Sequence, residues 1–133
     1  DEIQAGFLRV RLGHLEELAL EKKNICERYL RELHNDKITL PQIRCGSTHI
    51  WHQFVIKTDY RDELMSYLDE KGIGTIIHYP IPPHLSEAYS YLGMKEGSLP
   101  ITENYAKSVL SIPLYNGMTE EEQSYVISAI NAF

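Results

Sequence analysis

Residues 49–57 read His-Ile-Trp-His-Gln-Phe-Val-Ile-Lys, a run of aromatic and branched side chains with partial alternation. Such a run is typical of a strand with one buried face. Residues 60–70 return to helical spacing, and Gly72 follows as the left-handed residue that ends a helix. A second candidate strand, residues 74–79, comes next and stops at Pro80, which has no N–H to donate to a ladder. Strand, helix and strand in this order predict a small sheet with a helix against it.

The segment before this unit predicts one long helix over residues 1–34. Its apolar residues recur every three or four positions and therefore share one side of a helix. They are Ile3, Phe7, Val10, Leu15, Leu18, Ile25, Tyr29 and Leu33. Further leucines, Leu8, Leu12 and Leu20, widen the apolar stripe beyond what one small domain covers. We therefore expect the first half of this helix to pack against something outside the chain.

The segments after Pro80 complete an α+β pattern. Residues 84–92 and 102–110 predict two short helices, and residues 111–115 predict a short extended segment. Thr119, followed by three glutamates, predicts a capping box that starts the last helix. The prediction is one α+β domain over residues 1–133. The long helix leads into a small antiparallel or mixed sheet, and helices pack on one side of that sheet.

Length, charge and cysteine usage exclude several classes of function. The chain has 133 residues, of which 43% are hydrophobic, as expected for one domain with a modest core. A net charge of -6 without a basic cluster argues against nucleic-acid binding, and no apolar run approaches the roughly 20 residues that span a bilayer. Cys26 and Cys45 lie far apart without a CxxC spacing, which favours reduced thiols and a cytoplasmic protein.

Residues 78–84, His-Tyr-Pro-Ile-Pro-Pro-His, are the strongest candidate for a binding site. They place two imidazoles and a phenol where a strand ends and prolines stiffen the chain, so they could form a pocket wall that bonds a polar ligand. The alternative is a proline-rich surface loop. Six histidines also raise the possibility of zinc, but His49 and His52 would face opposite sides of a strand, so we predict no metal site.

Three blocks of sequence, in order, resemble the C-terminal third of the DegT/DnrJ/EryC1/StrS family of sugar aminotransferases. Residues 74–92 are similar to the family's His-Tyr-Pro-x-Pro-x-His block and the Ala-Tyr helix after it. Residues 1–5 resemble the end of its Asn-x-Arg-Leu-Asp-x-x-Gln-Ala element, and residues 99–119 resemble its Leu-Ser-Leu-Pro-Leu-x-x-x-Met-Thr ending with the helix before it. The wording of the first block is most similar to members that aminate C3 of a dTDP-linked 3-keto-6-deoxyhexose.

The resemblance implies a fold and an activity. The fold is the small C-terminal domain of an aspartate-aminotransferase-like enzyme, with residues 1–34 as a connecting helix. Family members use pyridoxal phosphate to transfer an amino group from glutamate to a nucleotide-linked keto-deoxysugar, for polysaccharide or antibiotic biosynthesis, and they act as homodimers. Because Asp1 lies in a pattern that is already helical, we interpret the chain as a piece without its cofactor-binding domain, inactive alone.

The resemblance also carries over site residues. His78 and Tyr79 match the family's His-Tyr pair, which reaches toward the sugar nucleotide, and His84 matches the second His of the block. We therefore expect these three residues to contact substrate. None of the lysines here matches the Schiff-base motif, so no catalytic or cofactor-binding residue is assigned. Two alternatives remain open: a sugar dehydratase of the same family, and a stand-alone module that binds a small ligand without catalysis.

Overall fold

The computed structural model describes residues 1–133, which form five α-helices, two short 3₁₀ helices and two strands. In chain order the elements are α1 (Glu2–Leu12), α2 (Leu15–Glu32), β1 (Phe54–Lys57), α3 (Arg61–Glu70), 3₁₀ helices at Pro83–Leu85 and Glu87–Leu92, α4 (Pro100–Ser108), β2 (Val109–Ile112) and α5 (Glu120–Asn131). The strands are antiparallel. The predicted α+β class is thus confirmed.

The predicted long helix is divided in two. Helix α1 ends at Leu12 and α2 begins at Leu15, so continuity through residues 1–34 was wrong. At the break, the N–H of Gly13 donates to Val10 O at 3.2 Å and that of His14 donates to Arg11 O at 3.0 Å, so three-residue bonds replace the four-residue ladder. Glycine lowers helix propensity, and that accounts for the position of the break.

The sheet is shorter than its sequence suggests. Strand β1 pairs with β2 from Phe54 opposite Ile112 to Lys57 opposite Val109. Single antiparallel bridges extend the two edges, Thr39 against Lys57 and Ile76 against Ser111.

Both predicted strands were therefore too long. Trp51 has a φ of 51°, which breaks extended backbone, so residues 49–53 precede the strand instead of belonging to it. Residues 74–79 contribute only the bridge at Ile76, because the chain leaves the sheet ahead of Pro80.

One face of the sheet carries the core. Phe54 and Ile56 of β1 and Leu110 and Ile112 of β2 are buried there. They pack against side chains of α2, α3 and α5, including Ile25, Cys26, Tyr29, Leu64, Leu68, Val126, Ile127 and Ile130. Each such side chain contributes roughly 1.5–3 kcal/mol by leaving water. The predicted packing of helices on one side of the sheet is confirmed for these three helices.

Burial in this core is deep enough to alter side-chain chemistry. Cys26 is fully buried, and desolvation raises the pKa of its thiol to about 12. Cys45 is exposed, and the two cysteines are not joined. The second cysteine therefore differs from the first in its access to solvent.

Helix α1 contributes nothing to the core. None of its residues is buried, and Ile3, Phe7 and Val10 expose 76%, 69% and 67% of their surface. The expectation that this apolar stripe exceeds what the domain covers agrees with the structure. None of the helices combines the length and apolar composition needed to cross a bilayer.

Helix α5 starts with the predicted capping box. The N–H of Glu122 donates to Thr119 Oγ1 at 3.2 Å, and the N–H of Thr119 donates to Glu122 Oε2 at 2.8 Å. These bonds satisfy two N–H groups that a helix start otherwise leaves unpaired.

Thr119→Ala is expected to lower the free energy of unfolding by about 1 kcal/mol, because it removes the side-chain acceptor of this cap. Urea unfolding followed by circular dichroism measures the change. Ser128→Ala, at an exposed position of the same helix, is the control and should change stability little. Equal losses in the two variants would contradict the capping role.

Candidate functional site

The second face of the sheet lines a cavity of about 310 Å³. Val55 of β1 and Val109 of β2 point to this face, because side chains alternate along a strand and their neighbours Phe54, Ile56 and Leu110 fill the core. The loop after Ile76 and one side of α4 supply the remaining walls. The full lining is Val55, His78, Tyr79, Ile81, Pro82, Pro83, Thr102, Tyr105, Ala106 and Val109.

His78 is fixed within this wall by both ring nitrogens. Its Nδ1 lies 2.9 Å from Ser111 Oγ, and its Nε2 lies 3.1 Å from the side-chain nitrogen of Gln53. Because an amide nitrogen only donates, Nε2 accepts and Nδ1–H donates to Ser111. The imidazole therefore offers a ligand its ring face and a fixed position, and its nitrogens are occupied by the chain.

Tyr79 is the neighbouring group that remains available. The peptide bond between His78 and Tyr79 is cis, and the two rings meet edge to face with centroids 5.4 Å apart. The phenol is 72% exposed and its hydroxyl makes no hydrogen bond within the chain. The structure thus brings two of the three predicted site residues together at the cavity, with one free donor and acceptor.

The third predicted residue, His84, lies elsewhere. Its side chain is 4% exposed, it is absent from the cavity lining, and its Nε2 lies 3.0 Å from Glu103 Oε1. Its Nδ1 is buried without a partner. The sequence did not predict that His78 and His84 point to different places. The 3₁₀ turn at Pro83–Leu85 directs the imidazole of His84 inward. The imidazole of His84 therefore supports the loop from inside, and its contact with substrate stays a prediction.

Glu103, the partner of His84, is a residue that the sequence analysis did not identify. Its carboxylate also accepts the N–H of Gly97 at 2.8 Å and of Leu99 at 3.1 Å. Those two backbone bonds, and then His84, hold the pKa of Glu103 below its ordinary value of 4.5 against the opposing effect of desolvation. One carboxylate thereby ties α4, the loop before it and the His84 turn together.

Helix α4 contributes a wall that the sequence did not assign to the site. Thr102, Tyr105 and Ala106 all line the cavity. They share a face because residues three and four apart are neighbours on a helix. This spacing was the available signal, but it became informative only once the fold placed α4 beside the His-Tyr loop.

The histidines considered for metal binding form no cluster. His49 accepts the N–H of Trp51 on Nδ1 at 2.9 Å, and the two ring centroids lie 4.0 Å apart with the ring planes tilted by 32°. The argument that a strand would separate His49 from His52 was wrong in its premise, because neither residue is in a strand. No group of three or more His, Cys, Asp or Glu side chains is arranged to hold a metal ion.

Solved aminotransferases share this α+β architecture. DesV of S. venezuelae, solved in complex with a ketimine intermediate, superposes with a TM-score of 0.95 and 40% identity, over 99% of this chain and 36% of DesV. NtdA from Bacillus subtilis, solved with bound cofactor PMP, superposes with a TM-score of 0.72 and 30% identity, over 85% of this chain and 27% of NtdA.

Sequence comparison then defines the family. The chain belongs to the DegT/DnrJ/EryC1/StrS aminotransferase family, whose model matches residues 1–131. A curated relative, the dTDP-3-amino-3,6-dideoxy-alpha-D-galactopyranose transaminase of Aneurinibacillus thermoaerophilus, is 37% identical over 133 residues. The chain spans 36% of the length of that relative. The resemblance stated from the sequence is confirmed.

Glu103→Gln is expected to destabilise the protein near neutral pH and to flatten its stability profile in acid. Because the pKa of Glu103 is lowered on folding, its contribution is present above the ordinary value of 4.5 and is lost as pH falls through the folded-state pKa. Thermal unfolding between pH 3 and pH 7 measures both effects. The exposed Glu121→Gln removes the same charge as a control, and matching profiles for the two variants would contradict the assignment.

Proposed function

We propose that the protein carrying this chain is a nucleotide-sugar aminotransferase. It transfers an amino group from glutamate to a keto-deoxysugar linked to a nucleoside diphosphate. The observation that carries the proposal is the cavity on the second face of the sheet, where Tyr79 presents a free phenol beside a fixed His78. Membership of the family and the dTDP-sugar named for the curated relative support the choice of substrate.

The cavity suits a deoxysugar ring. Its volume of about 310 Å³ is at the lower end for small-ligand pockets, so it accommodates a ring and leaves a nucleotide outside. Ile81, Pro82 and Val109 offer apolar contact to a C6 methyl group, whereas the Tyr79 hydroxyl is free to bond a sugar hydroxyl or keto oxygen. A mixed lining of this kind favours a sugar that has lost part of its polar surface.

Pyridoxal phosphate is the cofactor that the family implies, but the lining of this cavity does not fit it. The cavity lining includes neither a lysine for a Schiff base nor a carboxylate for the pyridine nitrogen. We propose that residues outside this chain hold the cofactor, so that the chain alone neither retains it nor catalyses transfer. His78 and Tyr79 serve the sugar substrate in this scheme.

The proposed substrate indicates which biosynthetic products the enzyme serves. Aminated deoxysugars are building blocks of cell-surface polysaccharides and of antibiotics, and we propose one of these as the end use. Two unpaired cysteines, one of them exposed, support a reducing compartment such as the cytoplasm.

We also propose a homodimer, supported by the exposed apolar residues of α1, which are more numerous than isolated surface residues normally are.

In the intact enzyme, Tyr79→Phe and His78→Ala are expected to lower kcat/KM for a dTDP-linked keto-deoxyhexose by about tenfold or more, while cofactor absorbance is retained. Coupled assay with glutamate and mass spectrometry of the sugar product measure this. His52→Ala, an exposed histidine outside the cavity, is the control. Unchanged sugar kinetics in both site variants would contradict the assignment, and a product without an added amino group would favour the dehydratase alternative.

Phe7→Asp is expected to weaken the homodimer of the intact protein by about tenfold or more, because it places a charge in the apolar surface of α1. Sedimentation velocity over a range of concentrations measures dissociation. Arg9→Asp, on the polar side of the same helix, should leave association nearly unchanged. An intact protein that stays equally dimeric in both variants would show that α1 is not the interface between copies.

A further inference from the structure

Lys57 places a positive charge beside the cavity on the second face of the sheet. It is the last residue of β1 and lies two positions after Val55, so its side chain points to the same face of the sheet. The ammonium lies 5.5 Å from the ring centroid of Tyr105, which itself lines the cavity. The negative face of an aromatic ring attracts a cation at this distance, so Tyr105 holds the ammonium near the cavity.

Lys57 differs from the other cations near this cavity in having no acidic partner. Arg61 reaches the same wall by donating to Ala106 O at 2.7 Å, but its charge is paired with Asp62 at 2.8 Å. Lys107, on α4, is paired with Glu96 at 3.0 Å. No carboxylate lies within 4.0 Å of the Lys57 ammonium.

The charge balance of the chain makes this cation significant. The net charge of these 133 residues is -6, so an anionic ligand that binds to this chain benefits from a local cation. The Lys57 residue is half-buried and its ammonium has no carboxylate partner, so an anion from outside can pair with it. The unpaired ammonium is therefore suited to a ligand with a negative group next to the part that enters the cavity.

We propose that Lys57 binds the diphosphate that joins the sugar to its nucleoside, and that Tyr105 is the positioning residue for its ammonium. This inference rests on the proposed function, whose sugar ring fills the cavity. A sugar ring held against Val55 and Tyr105 carries the diphosphate as a direct substituent. The diphosphate then lies at the mouth of the cavity. Lys57 thereby selects nucleotide-activated sugars over free sugars.

Glutamate is the other anion in the proposed reaction, and its chemistry separates it from the diphosphate. It has no ring to bury against the apolar lining, and it carries separated single charges instead of two adjacent phosphate groups. If Lys57 served glutamate, its removal would affect the half-reaction with glutamate and leave the half-reaction with the sugar nucleotide intact. The two half-reactions can be followed separately through cofactor absorbance.

The test uses the intact enzyme and dTDP as the probe. Lys57→Gln is expected to weaken dTDP binding and to raise KM for the dTDP-linked keto-deoxyhexose by about tenfold, with kcat little changed, because a charge-assisted bond to phosphate is lost. Inhibition by thymidine, which lacks phosphate, should be unaffected. Lys57→Arg should restore most of the binding. Lys107→Gln removes an equal charge from the neighbouring helix and serves as the matched control.

Tyr105 is tested by coupling. Tyr105→Leu should weaken dTDP binding when Lys57 is present and should have little further effect in the Lys57→Gln background, since its role acts through the ammonium. Tyr105→Phe keeps the ring and should bind normally.

Three results would overturn the proposal: unchanged dTDP binding in Lys57→Gln, equal weakening of dTDP and thymidine, or a defect confined to glutamate. Calorimetric titration with dTDP separates this inference from the proposed function. If the wild-type enzyme binds dTDP through Lys57 but aminates no sugar nucleotide, the proposed aminotransferase function is wrong. The proposed diphosphate subsite at Lys57 is then retained.

Discussion

The antiparallel pairing of β1 with β2 is the constraint on which the rest of the structure depends. Four residues in each strand fix a register that sends Phe54, Ile56, Leu110 and Ile112 into the core. The same register sends the alternate side chains to the opposite face. A slip of one residue would exchange the two sets and destroy both the core and the cavity together. The core and the cavity are thus set by one hydrogen-bonded ladder.

Ser111 shows how closely the two requirements are linked. Its backbone exchanges both hydrogen bonds with Ile76 at the sheet edge, whereas its hydroxyl accepts from His78. The same residue therefore anchors the segment that leads into the His-Tyr loop and orients the first ring of that loop. Because the sheet supplies this anchor, the loop needs no regular structure of its own to be held in place.

The sequence was sufficient for much of the fold and for part of the site. Apolar spacing identified α2 and α3, and the capping box located the start of α5, because these signals are local. The strands were overestimated, since neither the positive φ of Trp51 nor the early departure of the chain after Ile76 is visible in side-chain patterning. The sequence could place His78 and Tyr79 in one site because they are adjacent in the chain. His84, Tyr105 and Lys57 depend on contacts between distant segments, which no spacing rule supplies.

The buried carboxylate of Glu103 has a mechanical consequence for how a ligand reaches the cavity. It binds backbone N–H groups of Gly97 and Leu99 as well as the imidazole of His84, so the turn beneath the proline loop and the start of α4 are joined. Neither segment can swing outward alone without breaking these charge-assisted bonds. Because one carboxylate joins them, these two walls of the cavity move together and not as independent flaps.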